Sequence, residues 1–218
     1  LSLCGLDSKD YLLEKAYIYH EMACVYLFLN EYKISEENLK RSLDIKNMFL
    51  DTNHPEIART LCIYGVHNRE LGLFDEGIEK IKQAIGILQN FFKGLHPHLA
   101  RCYLEYAKLL YVGPQDIETS KAYYSKAEKL ALDLLDVNHP FIAEIYLETG
   151  YICHDCEDYE QGLKYFNNAL KIYKEAYGES HGYIAICECA LGIVKKDIEL
   201  FEEAQQHFFN AFKLCKDF

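Results

Sequence analysis

The chain has 218 residues, 50% of them apolar and 26% charged, a composition that folds and excludes disorder. Its formal net charge of −11 works against nucleic acid and against anionic membrane surfaces, both of which call for a basic face. No apolar run approaches the roughly 18–20 residues of a membrane span, which predicts no membrane insertion, and no charged-then-apolar leader opens the chain. The first residue is Leu1, not Met, as expected for a portion of a longer protein. Nine cysteines are scattered through helical segments instead of framing short loops, which predicts reduced, mostly buried thiols and a cytoplasmic location.

The elements recur with a fixed period. Asn53-His54-Pro55-Glu56-Ile57-Ala58 returns as His96-Pro97-His98-Leu99-Ala100, as Asn138-His139-Pro140-Phe141-Ile142-Ala143, and more loosely as Ser180-His181-Gly182-Tyr183-Ile184-Ala185. The alanines Ala58, Ala100, Ala143 and Ala185 stand 42, 43 and 42 residues apart, and Ala16 stands 42 before the first. A period in this range marks stacked helical hairpins, none of which can bury its apolar face alone. The predicted units are 9–50, 51–93, 94–136, 137–178 and 179–218, together one array over 1–218.

Taken in order, the first unit places Ala16 and Ala23 on a first helix and Tyr32, Leu39 and Ser42 on a second. The second unit shows the pattern best. Ala58, Leu61, Cys62 and Gly65 fall at helical spacing, Leu71-Gly72-Leu73-Phe74 breaks it, and Ile78, Ile81, Ala84, Ile85 and Leu88 resume it. Gly72 suits a helix C-terminus because glycine adopts positive φ without strain. The third unit repeats the scheme with Ala107, Ile117, Tyr124 and Ala127, and one extra residue around Val112-Gly113-Pro114-Gln115 is predicted to bulge its turn. The fourth follows with Gly150, Tyr159, Phe166 and Ala169, and the fifth with Gly192, Phe201, Phe208 and Ala211. Small residues in both helices, facing bulky ones, predict close backbone crossings filled by neighbouring side chains. Proline after each of three histidines suits the first helical position, where its missing N–H had no partner, so the His-Pro pairs read as helix starts. The last helix, 201–218, carries Phe208, Phe209, Phe212, Leu214 and Phe218 with no polar cap after it, which predicts further repeats or self-association through it.

These motifs resemble the tetratricopeptide repeat family. Gly72-Leu73-Phe74-Asp75-Glu76-Gly77 and Glu157-Asp158-Tyr159-Glu160-Gln161-Gly162, the latter followed by Tyr165-Phe166-Asn167-Asn168-Ala169-Leu170, are similar to that family's turn and second helix. The 42-residue period with His-Pro-x-(Ile/Leu)-Ala is similar to the longer repeats of kinesin light chains. The resemblance implies an all-α, right-handed superhelical solenoid of five antiparallel helix pairs whose first helices line a concave groove. The family's tryptophan-preferring column reads Tyr19, Leu61, Tyr103, Tyr146 and Glu188, and the glutamate predicts a degenerate final unit. The paired asparagines of kinesin light chains are replaced by His20-Glu21, Cys62-Ile63, Leu104-Glu105, Leu147-Glu148 and Cys189-Ala190.

Catalytic and metal chemistry find little support. His54, His96, His139 and His181 sit in units stacked roughly 10 Å apart, whereas metal ligands lie about 2 Å from one ion. Cys153-His154-Asp155-Cys156 is the one compact ligand-like cluster, and it lies at a helix C-terminal end, where the dipole raises rather than lowers a thiol pKa. Glycine-rich phosphate loops, nucleophile elbows and paired carboxylates are absent from the sequence. The expectation is a non-enzymatic scaffold with no cofactor and no metal.

The groove is the sharper expectation. The face opposite the small-residue column presents Arg59, Cys62, Ile63, Val66, Arg69, Arg101, Leu104, Lys108, Tyr151 and His154. Three of the chain's four arginines fall there, in adjacent units of an acidic molecule. Arginine forks match carboxylates, and apolar groups between them can hold an aliphatic or aromatic anchor. The expected ligand is a peptide or helical segment of a protein, acidic, aromatic or carboxylate-bearing, with Arg59, Arg101 and Lys108 pairing carboxylates. Two alternatives stay open. The arginines can instead pair with glutamates of neighbouring helices, and the array can be the docking or sensor portion of a larger enzyme or a secreted bacterial effector.

Overall fold

The computed structural model describes residues 8–216, so Leu1 at the start and Phe218 of the predicted last helix lie outside the described residues. The described residues form ten α-helices and no strand: α1 (Ser8–Phe28), α2 (Tyr32–Phe49), α3 (Pro55–Glu70), α4 (Phe74–Phe92), α5 (Pro97–Val112), α6 (Ile117–Leu134), α7 (Pro140–Asp155), α8 (Tyr159–Tyr177), α9 (Gly182–Asp197) and α10 (Phe201–Lys216). The class is all-α, built of consecutive helical hairpins. Contacts divide the chain into two compact units, residues 1–123 and 124–218.

Helix starts follow the histidines. In α3, α5, α7 and α9 the N-cap is His54, His96, His139 or His181, and Nδ1 accepts the backbone N–H two residues on at 3.1–3.3 Å. An imidazole thus does the work usually given to a serine or aspartate, satisfying one of the free donors of the first turn. Three of these rings also pack on an aromatic of the second helix of a hairpin: His54 on Phe91, His96 on Phe92 and His181 on Tyr177.

Within each hairpin the turn uses one left-handed residue: Asn30, Gly72, Gln115, Glu157 or Glu199. Only one of the five is the glycine that local preference favours. The extra residue of the third unit falls between α5 and α6, where Gly113 is required because a Cβ there would lie 2.6 Å from Cγ of Phe74.

Unit 1 holds its helices together by two kinds of close crossing. In the first hairpin Ser35 Oγ donates to the Ala23 carbonyl at 2.9 Å and Ser42 Oγ to the Ala16 carbonyl at 2.8 Å. Ser120 Oγ donates to the Ala107 carbonyl at 2.8 Å in the same way. In the second hairpin a glycine replaces the serine, and a Cβ on Gly77 would sit 3.0 Å from the Gly65 carbonyl oxygen. Opposite, Ile81 fills the space that a Cβ on Gly65 would need. Unit 2 repeats the device with larger knobs. The Phe166 ring lies 2.5 Å from a Cβ built on Gly150, and the Phe208 ring 2.8 Å from one built on Gly192. The serine-or-glycine column of the second helix went unread in the sequence, although Ser35, Gly77, Ser120 and Gly162 keep the period.

The final hairpin is not degenerate. Glu188 is buried, but His207 Nδ1 lies 2.8 Å from its carboxylate and Asn210 Nδ2 donates to it at 3.3 Å, both from α10. A carboxylate replaces the aromatic because the facing helix brings polar partners. The thiols are less buried than expected. Of the eight described, Cys62, Cys102 and Cys187 are buried, Cys24, Cys153 and Cys156 half-buried, and Cys189 and Cys215 exposed. No helix among the described residues is long and apolar enough to cross a membrane.

Candidate functional site

In unit 1 the first helices α1, α3 and α5 lie side by side, and a cleft of about 370 Å³ opens between them. Its floor is apolar: Ile63 and Val66 with the thiols Cys24, Cys62 and Cys102. Its polar lining is His20, Glu21, Arg59, His98, Arg101 and Glu105. Five predicted residues (Arg59, Cys62, Ile63, Val66 and Arg101) line this cleft together. Helical periodicity brings four of them there, since i, i+3, i+4 and i+7 steps from Arg59 share one face of α3, and Arg101 stands one repeat on from Arg59 in α5.

The cations of the rim are held in place by carboxylates. Arg59 Nη1 donates to both carboxylate oxygens of Glu56 at 3.2 Å, and Nη2 stands 3.6 Å from Glu21. Arg101, 40% exposed, stands 3.7 Å from Glu105. Glu105 is the hub, with Arg69 at 2.6 Å and Lys108 at 3.9 Å as well. Burial works to raise the Glu105 carboxyl, but Lys108, Arg69 and Arg101 together outweigh it and hold the pKa below the ordinary range. The guanidiniums are therefore pre-oriented, which lowers the ordering cost of meeting a ligand.

Five expected groove residues stand elsewhere. Leu104 is completely buried and belongs to the core. Arg69, bound by Glu105 and by Glu70 at 3.0 Å, and Lys108, 14% exposed, do not line the cleft. For Arg69 the stabilising alternative describes what is seen. Tyr151 and His154 belong to unit 2 and are not among the lining residues. Tyr151 packs edge-on against Phe166, and burial, with Glu148, pushes its phenol up to about 12. His154 is held between Asp197 at 2.8 Å and Asp155 at 3.1 Å, so the Cys153–Cys156 stretch serves a hydrogen bond with α9's last residue. Among the described residues no three His, Cys, Asp or Glu side chains converge to hold a metal ion.

A buried network backs the cleft and was not foreseen. Lys46 of α2 has no exposed surface, and its ammonium donates to Thr60 Oγ1 at 2.9 Å, to the Glu56 carbonyl at 3.1 Å and to the Glu56 carboxylate at 3.4 Å. The ring of Tyr17 lies 5.0 Å from the same ammonium. Thr60 Oγ1 in turn sits 3.2 Å from Nδ1 of His20, a lining residue. Burial, then the Lys46 and Arg59 charges, lowers the His20 pKa to about 4, so the ring is neutral at neutral pH. Burial and the Glu21 carboxylate push the Cys24 thiol up to about 11. The hydrogen bond with Cys62, and then burial, raises Cys102 well above its ordinary value. Cys24 and Cys102 thus present protonated thiols, which are poor nucleophiles. His98, Glu21 and Cys102 line the cleft although the sequence reading passed over them.

Comparison with known proteins agrees with this architecture. The tetratricopeptide repeat profile matches residues 141–217, the two hairpins of α7–α10. These are tetratricopeptide repeats. The match runs through the final hairpin, Glu188 included. A clustered mitochondria protein homolog from Culex quinquefasciatus is 25% identical over 135 residues, 59% of this chain and 10% of that protein. The chain thus spans about a tenth of the length of the curated relatives it matches. Among solved structures, a putative kinesin light chain from Podosopora anserina with nearly identical TPR-like repeats aligns with TM-score 0.73 at 14% identity, covering 94% of this chain and 97% of that one. A Rap protein complexed with competence and sporulation factor aligns with TM-score 0.78 at 15% identity, covering 92% and 54%. At such identities the likeness is one of fold, and the fold is of the kinesin-light-chain-like kind.

Proposed function

We propose that this chain is a non-catalytic scaffold that binds a segment of a partner protein in the cleft of α1, α3 and α5. One observation carries the reading: Arg59 and Arg101, held by carboxylates, flank an apolar floor of Ile63 and Val66 in a cleft open to a side chain. The best-fitting ligand is a peptide with an acidic group placed next to an aliphatic or aromatic anchor. The anchor supplies buried area and the guanidinium forks supply direction. A Rap conjugation gene regulator of similar fold is seen in complex with the Phr* peptide, which favours a peptide-sized ligand. Free thiols among the described cysteines favour a reducing, cytoplasmic setting.

A second reading is supported by the relatives' length. The matched proteins are about ten times longer than the matched stretch, which favours a docking module within a larger protein.

The test is affinity capture with wild type and with the Arg59→Glu/Arg101→Glu variant, followed by titration of the captured peptide. The variant should lose at least about tenfold in affinity, since each reversed charge meets the ligand carboxylate as a like charge. Unchanged capture, with helix content and melting temperature preserved, would overturn the reading. Ile63→Asp should weaken binding in the same assay through the apolar floor, without touching either arginine.

A further inference from the structure

The repeat register sets one carboxylate in an otherwise apolar column. Leu43, Ile85, Glu128, Leu170 and Phe212 hold the same place on successive second helices. Glu128 of α6 is half-buried, and among the described residues no cation or hydrogen-bond donor pairs with it. Lys164 and Lys171 of α8 are taken by Glu160 at 2.9 Å and by Glu175 at 4.0 Å. Burial raises the Glu128 carboxyl above the ordinary range, the condition of a carboxylate without a counter-ion.

Two tyrosines accompany it. Tyr146 of α7 and Tyr165 of α8 stand with ring centres 5.6 Å apart and planes tilted by 48°. Burial, and next the Glu128 carboxylate, raises both phenols, so the charge lies close to both rings. Glu128, Tyr146 and Tyr165 occupy the places that Leu43, Leu61 and Lys80 hold two hairpins earlier. In unit 1 those three residues line one groove of about 530 Å³, so the register brings the three places together. Two further lining places, Asn47 and Thr52, become Leu132 and Val137, which are 40% and 60% exposed.

Rings of this chain accept cations where the chain provides them. Tyr19 holds the place of Tyr146 in the first hairpin, with the Lys15 ammonium and the Arg41 guanidinium each 5.7 Å from its ring centre. In the fourth hairpin the places of Lys15 and Arg41 hold Ile142 and Asn168, neither of them a cation. The third hairpin has the ring pair without the charge. Tyr103 and Tyr123 stand 5.6 Å apart, and Ile85 holds the place of Glu128.

We propose that Glu128, Tyr146 and Tyr165 form a binding site for an alkylammonium group, the side chain of a lysine or methylated lysine in a partner protein. The carboxylate neutralises the charge, and the ring faces attract it through their quadrupoles. Leu132 and Val137 cover the alkyl stem, as apolar surface does for a chain's own lysines. A net charge of −11 favours the approach of a basic segment. The site lies wholly within unit 2 and does not depend on ligand binding in the cleft of unit 1.

The test is ligand-observed NMR titration of the full chain with Nα-acetyl-lysine methylamide and its Nε-trimethyl form, up to roughly 20 mM, where a low-millimolar Kd is measurable. At least one of the two should bind. The neutral isostere, with tert-butyl in place of trimethylammonium, should bind at least about fivefold more weakly. Glu128→Gln, Tyr146→Leu and Tyr165→Leu should each weaken the ammonium probe by at least about fivefold, whereas Tyr103→Leu should leave it unchanged. Glu128→Leu installs the residue that the column holds in α2 and α8. Its melting temperature should rise while ammonium binding is lost, which separates the site from folding. Tetramethylammonium lacks the stem and should bind more weakly than the trimethyl-lysine probe; tighter binding would assign the site to a small amine and overturn the lysine as its ligand. No binding of either lysine probe, or binding that Glu128→Gln or the neutral isostere leaves intact, would overturn the proposal.

Discussion

Two junctions of the same register are built from opposite chemistry. Between α2 and α3 the meeting positions hold Lys46, Glu56 and Thr60, an ammonium with three oxygen acceptors. Between α8 and α9 the same positions hold Tyr173, Tyr183 and Cys187, and the two phenol rings stack at 4.8 Å with planes 12° apart. Tyr177 and His181 continue that stack at 4.3 Å. The period fixes where helices meet, and it leaves open what fills the meeting place. The polar junction is the one that abuts the cleft: Glu56 grips Arg59, and Thr60 reaches His20. A buried charge adds little net stability over an apolar filling. Its location behind the rim ties the orientation of Arg59 to the packing of two hairpins.

The aromatic junction can be broken most severely. Tyr173→Ala removes a ring that is 1% exposed and should cost about 4 kcal/mol, read as a loss in denaturant midpoint that salt does not change. Lys46→Ala should cost about 3 kcal/mol by emptying a site and weakening the pairing of Glu56. Lys46→Met should recover most of that loss, since Arg59 still pairs Glu56 and the volume is refilled. A Lys46→Met variant as damaged as the alanine would show that the charge itself holds the junction together.

The smallest effect separates the two junctions by pH. His20 is neutral in the fold, with its pKa lowered to about 4, and takes up a proton near its ordinary 6.5 when unfolded. The unfolded state therefore binds more protons between those values, and stability present above 6.5 is lost as pH falls toward 4. The difference between wild type and His20→Gln should shrink over that window by about 2 kcal/mol, measured by urea titration at several pH values. A parallel pair of pH curves would remove His20 from the network.

Most of the architecture was legible because each device repeats. The histidine caps, the small-residue columns and the third turn's extra residue all occupy the places that spacing assigns. Five cleft residues were legible for the same reason, four on one face of α3 and Arg101 at the place of Arg59 in the next repeat. Lys46 was not, since a lysine on a helix reads as solvated until its acceptors are seen, and those come from the next hairpin. Its column, otherwise Leu88, Ala131, Tyr173 and Cys215, carried the only hint. Leu104 misled for the converse reason: helical phase gives a direction and not a depth, and this side chain is completely buried. Glu188 looked like decay because an aromatic was expected, and only α10 reveals its partners.

The five hairpin turns carry a further consequence. Asn30, Gly72, Gln115, Glu157 and Glu199 adopt the same left-handed conformation although four of them have side chains that resist it. A corner reproduced by such different residues, and kept even where one more is inserted, is imposed by the helices it joins. These corners are then the places where the chain can be lengthened, tagged or grafted with least disturbance to its packing.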